Sequence, residues 1–194
     1  MKVSELIDAK SGERKYLNAE ERKAFFEATT FMDNDIKFYG RMIYYTGARL
    51  SEVLAVTPDF IDYKEGVVII NTLKQSPDRP YPRPVELPED YLESLNDVYG
   101  IKKKQGTKAG QLRIWNFTDR TAQKYIKAIM NAAGISGKKA TSRGLRHSMG
   151  VLLVQNKVPL NIVQKILGHR DIKNTMIYAE ALEKERREMI SRVW

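Results

Sequence analysis

The chain contains no cysteine among its 194 residues. This absence excludes disulfide bonds, thiol nucleophiles, and zinc or iron–sulfur sites with cysteine ligands. Two histidines are too few for a histidine-rich metal site, and no apolar run approaches the ~20 residues that span a bilayer. The N-terminal residues also lack the apolar core of a signal peptide. We therefore expect a cytosolic protein that binds neither a metal nor a membrane.

The chain has an excess of positively charged residues. Lysine and arginine outnumber aspartate and glutamate by 33 to 24, which gives a formal charge of +9 and a pI near 9.6. A basic domain typically binds an anionic partner, most often nucleic acid, although the charge could also serve solubility alone. Hydrophobic residues make up 42% of the chain, enough for a core, and the length suits one large domain or two small ones.

Helical patterns dominate most of the chain. Asn18 and Glu21 have the spacing of a capping box and predict a helix through Phe25 and Phe26. Residues 1–16 are polar and are interpreted as a lead-in or residual linker before a single domain over 17–194. Further helices are predicted over about 34–45, 49–55, 89–99, 118–133, 141–154, 159–168 and 181–193.

One segment has a β pattern. Val67–Thr72 is rich in β-branched residues, and an extended pattern resumes at 85–87. The intervening residues 76–84 have turn chemistry, and four of the seven prolines lie there, which favours an edge strand or a mobile tip. Lys74 falls near the end of the first strand. The predicted fold is therefore mainly α with a small antiparallel β-hairpin.

Two groups of basic residues are candidates for DNA contacts. One lies in the loop predicted over 102–108, which precedes a short extended segment predicted at 114–117. The other forms one face of the helix that Thr118 caps, with spacings of four and three residues. Either group could contact phosphates or form a solvated face. The candidates are Lys102, Lys103, Lys104, Arg120, Lys124 and Lys127.

Arginine, histidine and tyrosine residues also suggest a site for phosphodiester chemistry. Cleavage of a phosphodiester builds charge on two non-bridging oxygens, and guanidinium groups can stabilise it with paired hydrogen bonds. Arg49 and Arg146 are the candidates, and Glu52 is spaced to orient Arg49. Tyr178 is the candidate nucleophile, which needs help to lose its proton because a tyrosine pKa is ~10. Taken singly, these residues would also fit surface ion pairs and a core aromatic.

The order of the motifs resembles the catalytic domain of tyrosine recombinases, the phage integrase family. The resemblance rests on Thr46-Gly-Ala-Arg49, Arg143-Gly-Leu-Arg146-His147, Leu167-Gly-His169 and Tyr178, with Lys74 in a hairpin, and covers about residues 17–194. Tyr178 lies nine residues beyond His169, as is usual in that family. The length, without a separate N-terminal clamp domain, is similar to the single-domain fimbrial phase-variation invertases. Either the protein is short or the chain is a piece of a longer one.

The resemblance implies a site-specific recombinase acting in integration, excision or inversion. It would cut and rejoin DNA through a 3′-phosphotyrosine intermediate, without ATP, metal or other cofactor. Lys74 would be the general acid and His169 a hydrogen-bond donor to the scissile phosphate, while His147 would be more structural than chemical.

The resemblance also implies partners for the chain. These are double-stranded DNA, a tetramer on two DNA sites with a monomer as the alternative without DNA, and accessory DNA-bending proteins. Residues 181–194 would form a tail helix that docks on a neighbour, with Trp194 as its apolar anchor.

One position departs from the family pattern. Arg143 stands where the family usually has histidine or lysine, and arginine stays protonated with a pKa above ~12. It can stabilise phosphate charge or ease the ionisation of Tyr178, but another group, such as water, must take the proton, or catalysis is slower. Arg143 therefore leaves open a DNA-binding module that has lost catalysis. A type IB topoisomerase-like DNA-relaxing enzyme is a further alternative, because it shares the tyrosine chemistry.

Overall fold

A computed structural model describes residues 5–72 and 81–179. This part of the chain is mainly helical with one small antiparallel sheet, which confirms the predicted fold class. The helices are α1 Ala19–Thr29, α2 Asn34–Thr46, α3 Leu50–Leu54, α4 Glu89–Tyr99, α5 Ile101–Lys104, α6 Asp119–Ala132, α7 Ser142–Gln155 and α8 Leu160–Leu167. Residues 173–179 are also helical. The predicted tail helix and Trp194 lie outside the described residues.

Side-chain caps fix where the helices begin. Asn18 and Glu21 form the predicted capping box of α1, with both reciprocal hydrogen bonds present. Thr118 caps α6 and Thr141 caps α7, each by accepting a hydrogen bond from a backbone N–H three residues on. α2 ends at Gly47, whose φ of 59° is a left-handed conformation that favours glycine. This turn places the start of α3 beside α2.

The strands are β1 Ile61–Asp62, β2 Val67–Thr72 and β3 Tyr81–Glu86, paired antiparallel in that order. The structure corrects the prediction that residues 81–84 form a turn. They form the first part of β3, which is an edge strand. Pro82 and Pro84 occupy alternate positions in this strand, where the missing N–H groups need not remove a hydrogen bond to β2. The hairpin tip and Lys74 lie outside the described residues.

One other local prediction is wrong. Residues 101–104 form α5 rather than a loop, because Ile101 is fully buried and fixes the turn against the core. Residues 114–117, predicted as a short extended segment, lie outside the helices and the three strands. Their position is set by Trp115, which is 1% exposed and packs edge-on against Tyr39, and by a hydrogen bond from Ile114 N to the Val56 carbonyl.

The hydrophobic residues form one large core and one smaller cluster. The large core lies between α1, α2, α4, α6 and the sheet. The smaller cluster joins Leu6 and Tyr16, from the N-terminal segment, to Val151 and Leu167 and to Tyr178. Residues 5–17 are therefore packed against the C-terminal helices. No helix in the described ranges is long and apolar enough to cross a membrane.

Ser148 ties the N-terminal segment to α7. Ser148 is 1% exposed, and its hydroxyl accepts a 2.7 Å hydrogen bond from Leu17 N and donates one to the Gly144 carbonyl. We expect Ser148→Ala to lower the free energy of unfolding by about 1–3 kcal/mol in urea titrations, since Leu17 N–H would be buried without a partner. Ser136→Ala is the control, because that exposed serine makes no capping hydrogen bond. Equal effects of the two changes would contradict the prediction.

Candidate active site

The start of α3, the first half of α7 and helix 173–179 surround a cleft of about 540 Å³. Every predicted catalytic residue within the described ranges lines this cleft, and Lys74 lies outside those ranges. The lining includes Arg49, Arg143, Arg146, His147, His169 and Tyr178. Residues that are up to 129 positions apart in sequence thus share one surface.

Arg146 is held rigidly at the back of the cleft. Its Nη1 donates to the Gly47 carbonyl at 2.8 Å and its Nη2 to the Leu167 carbonyl, so the residues that end α2 and α8 fix the guanidinium. Burial, aided by the nearby Arg49, lowers the pKa of Arg146 to about 10. The group is therefore still charged at neutral pH and has three further N–H donors.

Glu52 holds two arginines at once. Its Oε1 lies 2.6 Å from Arg49 Nη1, so the contact predicted from their spacing is present, and its Oε2 lies 2.8 Å from Arg83 Nη2. The Glu52 side chain is fully buried. Burial alone would raise the pKa of its carboxyl group, but Arg83 and Arg49 together hold that pKa below the ordinary value. Glu52 is thus an anion that fixes the position of Arg49.

Arg83 was not predicted from the sequence. Its guanidinium also donates to Thr72 Oγ1 at 2.6 Å and to the Ile166 carbonyl at 2.9 Å, which joins β3 to β2 and α8. A Cβ atom on Gly168 would lie 2.7 Å from Arg83 Nη1, so only glycine leaves room there. The one available signal was alternation: Arg83 and Val85 share the buried face of β3. Pro82 and Pro84 on either side of Arg83 favour a turn and outweigh this alternation.

His169 is a neutral, oriented imidazole. Its Nδ1 lies 2.9 Å from Thr175 Oγ1, and its ring stacks on that of Tyr178 with centroids 6.2 Å apart. Burial, together with Arg146 and Arg49, lowers the pKa of His169 to about 3. When the Thr175 hydroxyl donates to Nδ1, the ring proton is on Nε2, which is then free to act as a donor.

Tyr178 is only 1% exposed, and it is one of the residues that line the cleft. Its hydroxyl lies 3.1 Å from His147 Nδ1. Burial raises the pKa of Tyr178 to about 12, while Arg146 and Arg143 act in the opposite direction. Gly150 makes room for the ring, because a Cβ there would collide with it. The phenol is therefore protonated at neutral pH.

The sequence does not predict the contact between His147 and Tyr178. The two residues are 31 positions apart, and the sequence pattern predicts no helix over residues 173–179. Burial, with help from Arg143, Arg146 and Lys15, lowers the pKa of His147 to about 4, so its imidazole is neutral at pH 7.

A basic groove of about 680 Å³ adjoins the cleft. Arg120, Lys124 and Lys127 line it, as predicted from their shared helix face, and Gln123 and Ser142 line both the groove and the cleft. The predicted lysines of α5, Lys102, Lys103 and Lys104, line neither. Lys102 instead pairs with Glu93 at 3.0 Å.

Comparisons with known proteins identify relatives of this chain. The model of the phage integrase family matches residues 15–185. An integrase/recombinase of Escherichia coli is 26% identical over 191 residues, covering 79% of this chain and 56% of the relative. Tyrosine recombinase XerH of Helicobacter pylori is 28% identical over 190 residues, covering 92% and 51%. The chain spans about half the length of these curated relatives.

The fold is also similar to that of a XerH recombinase in a crystal structure. That protein is bound to a palindromic difH substrate in a post-cleavage complex. The TM-score is 0.73 at 25% identity, and the match covers 96% of this chain and 56% of the other.

Breaking the buried ion pair should destabilise the protein strongly. We expect Arg83→Met to lower the free energy of unfolding by about 3–5 kcal/mol, because Glu52 would keep a buried charge with one partner fewer. Lys102→Met is the control: it breaks a half-exposed pair with Glu93, and should cost less than about 1 kcal/mol. Urea denaturation measures both values. A loss at Arg83 no larger than that of the control would contradict the role given to this network.

Proposed function

This chain belongs to the phage integrase family, and on that premise we propose that it cuts and rejoins double-stranded DNA at specific sites, with Tyr178 as the nucleophile. One observation carries the proposal: a single cleft combines the Tyr178 hydroxyl with the fixed guanidinium groups of Arg49 and Arg146. The XerH complexes with difH substrate support a DNA duplex as the substrate.

The charges of the cleft suit a phosphodiester. The cleft lining contains the guanidinium groups of Arg49, Arg143 and Arg146 and the carboxyl groups of Glu5 and Asp119, which leaves an excess of one positive charge. A bound phosphodiester would supply one negative charge, with Arg49 and Arg146 donating to its non-bridging oxygens. Because Glu52 and two backbone carbonyls already hold these guanidinium groups, they need little reorganisation as charge develops. A preorganised donor of this kind stabilises a transition state by roughly 3–4 kcal/mol.

The reaction then proceeds by exchange of one ester bond for another. The Tyr178 oxygen attacks phosphorus and forms a 3′-phosphotyrosine bond, while the bond to the 5′-oxygen breaks. Lys74 is the proposed donor of the proton to that oxygen, and His169 Nε2–H the donor of a hydrogen bond to the phosphate. The covalent ester keeps the energy of the broken bond, so attack by a 5′-hydroxyl reverses the step without ATP.

Recombination requires more than one chain. Exchange of strands between two duplexes needs four cleavages, so we expect four chains on two DNA sites, with accessory DNA-bending proteins as further partners. The groove lined by Arg120, Lys124 and Lys127 would follow the backbone of the duplex beside the cleaved phosphate.

The central prediction is a covalent adduct. Incubation of the full chain with a pool of nicked duplexes of randomised sequence should yield a DNA strand joined to Tyr178, because the short fragment released by cleavage at a nick diffuses away. Peptide mass spectrometry would locate the adduct. Tyr178→Phe keeps the ring and its packing but lacks the nucleophile, and should form none.

The other outcomes separate the alternative functions. Duplex binding without an adduct in the wild type would indicate a binding module and contradict the proposal. Relaxation of supercoiled DNA with no enrichment of any sequence among the captured strands would indicate a topoisomerase-like enzyme instead.

DNA binding should weaken steeply with salt. If about six phosphates are contacted, the slope of log K against log salt should be about −5. Lys124→Gln should reduce that slope by about 1, since the lysine lines the basic groove. Lys23→Gln is the control, because this exposed lysine of α1 lies outside the cleft and the groove and pairs with Glu27. A slope that is the same in all three proteins would exclude the groove as the DNA surface.

A further inference from the structure

The proposed reaction needs a group that takes the Tyr178 proton. Burial keeps this phenol protonated, with a pKa of about 12. Arg143, four residues before His147 on α7, stays charged and cannot accept a proton. The cleft must therefore supply an acceptor from elsewhere, or leave the task to water.

We propose that His147 is the catalytic base: its Nδ1 takes the proton of the Tyr178 hydroxyl during cleavage and returns it during rejoining. This inference rests on the proposed function of the cleft. The hydroxyl and Nδ1 are 3.1 Å apart, within hydrogen-bonding distance, so the proton can pass directly between them.

The surroundings of His147 keep its imidazole uncharged, so that Nδ1 has a lone pair to accept a proton. Arg143 and Arg146 face it from α7, Lys15 from the N-terminal segment, and Lys138 and Glu5 line the pocket beside it. Burial and the cationic neighbours lower the pKa of His147 to about 4, so the imidazole is neutral at physiological pH. With the ring proton on Nε2, the Nδ1 lone pair points to the tyrosine hydroxyl.

His169 is less suited to the same task. Its Nδ1 is engaged by Thr175 Oγ1, and its contact with Tyr178 is a ring stack with an interplanar angle of 16°. The two histidines of the chain therefore have different roles in the proposed reaction. His169 faces the phosphate as a donor, and His147 faces the nucleophile as an acceptor.

The timing of the transfer follows from the same surroundings. Burial raises the pKa of the Tyr178 hydroxyl and lowers that of the His147 imidazole, so complete transfer before attack is unfavourable. The O–H bond of Tyr178 must therefore break as the O–P bond forms. The anionic phosphate stabilises the imidazolium at that moment, the 5′-oxygen leaves with a proton from the general acid, and His147 Nδ1–H returns its proton in the reverse step.

A substrate with a sulfur leaving group isolates this step. The probe is the captured duplex with sulfur in place of the bridging 5′-oxygen of the scissile phosphate. A thiolate leaves without protonation, so the rate of adduct formation depends on Tyr178 deprotonation and not on the general acid. Single-turnover rates are measured from pH 6 to 9 for the wild type and for two His147 variants.

His147→Ala should form the adduct roughly 10²–10⁴-fold more slowly at pH 7. Its rate should rise about tenfold per pH unit because hydroxide replaces the base, whereas the wild-type rate should vary little. Added imidazole should partly restore it. His147→Asn keeps a hydrogen-bonding side chain near the Nδ1 position but accepts no proton, so it should be as slow as the alanine variant. Thermal unfolding establishes that both variants are folded.

Two results would overturn the proposal. A wild-type rate and pH profile in His147→Asn would make His147 a positioning residue only, and unchanged kinetics in His147→Ala would remove it from the reaction. Both leave the proposed function intact, since the adduct still forms. Failure of the wild type to form any adduct would instead remove the proposed function and, with it, this inference.

Discussion

The position of Arg49 in the cleft depends on the ion pairs that the fully buried carboxylate of Glu52 makes with Arg49 and Arg83. This carboxylate connects α3 to β3 through Arg49 and Arg83, and Arg83 extends the connection to Thr72 in β2 and to the Ile166 carbonyl in α8. Burying one such charge is costly, and only well-oriented charged hydrogen bonds offset the cost. The bonds between Glu52, the two arginines and Thr72, of 2.6–2.8 Å, hold the start of α3, which carries Arg49, against the two strands.

The guanidinium groups around the cleft also affect its two histidines. Burial is the first cause of the lowered pKa of each imidazole; Arg143 and Arg146 lower the pKa of His147 further, and Arg146 and Arg49 that of His169. His147 and His169 are therefore neutral at pH 7 and can serve as an acceptor and a donor. The arginines around the cleft thus have two effects. They attract a phosphate, and they help to keep both imidazoles uncharged.

Local signals predicted much of this architecture. The caps at Asn18, Thr118 and Thr141 and the end of α2 at Gly47 follow from interactions within a few residues, as does the contact of Arg49 with Glu52. The missed features depend on tertiary structure.

Arg83 and the contact of His147 with Tyr178 show why. The two prolines around Arg83 indicate a turn more strongly than its alternation with Val85 indicates a buried strand face. The contact of His147 with Tyr178 exists because helix 173–179 packs on α7, where Gly150 accepts the ring, and no local pattern encodes that pairing. The family resemblance identified the residue types of the site without their contacts.

The packing of Tyr178 suggests how the proposed reaction is restricted to bound DNA. Leu6 and Tyr16 belong to the same apolar cluster as Tyr178, so the N-terminal segment helps to bury the ring and raise the pKa of its hydroxyl. In the free protein the phenol is protonated and its acceptor is a poor base, which leaves the nucleophile inert. A phosphodiester in the cleft changes both conditions, because it offsets the guanidinium charge that disfavours a protonated His147 and presents the phosphorus atom to the hydroxyl. In the proposed mechanism, the charge of the substrate therefore helps the transfer of the Tyr178 proton to His147.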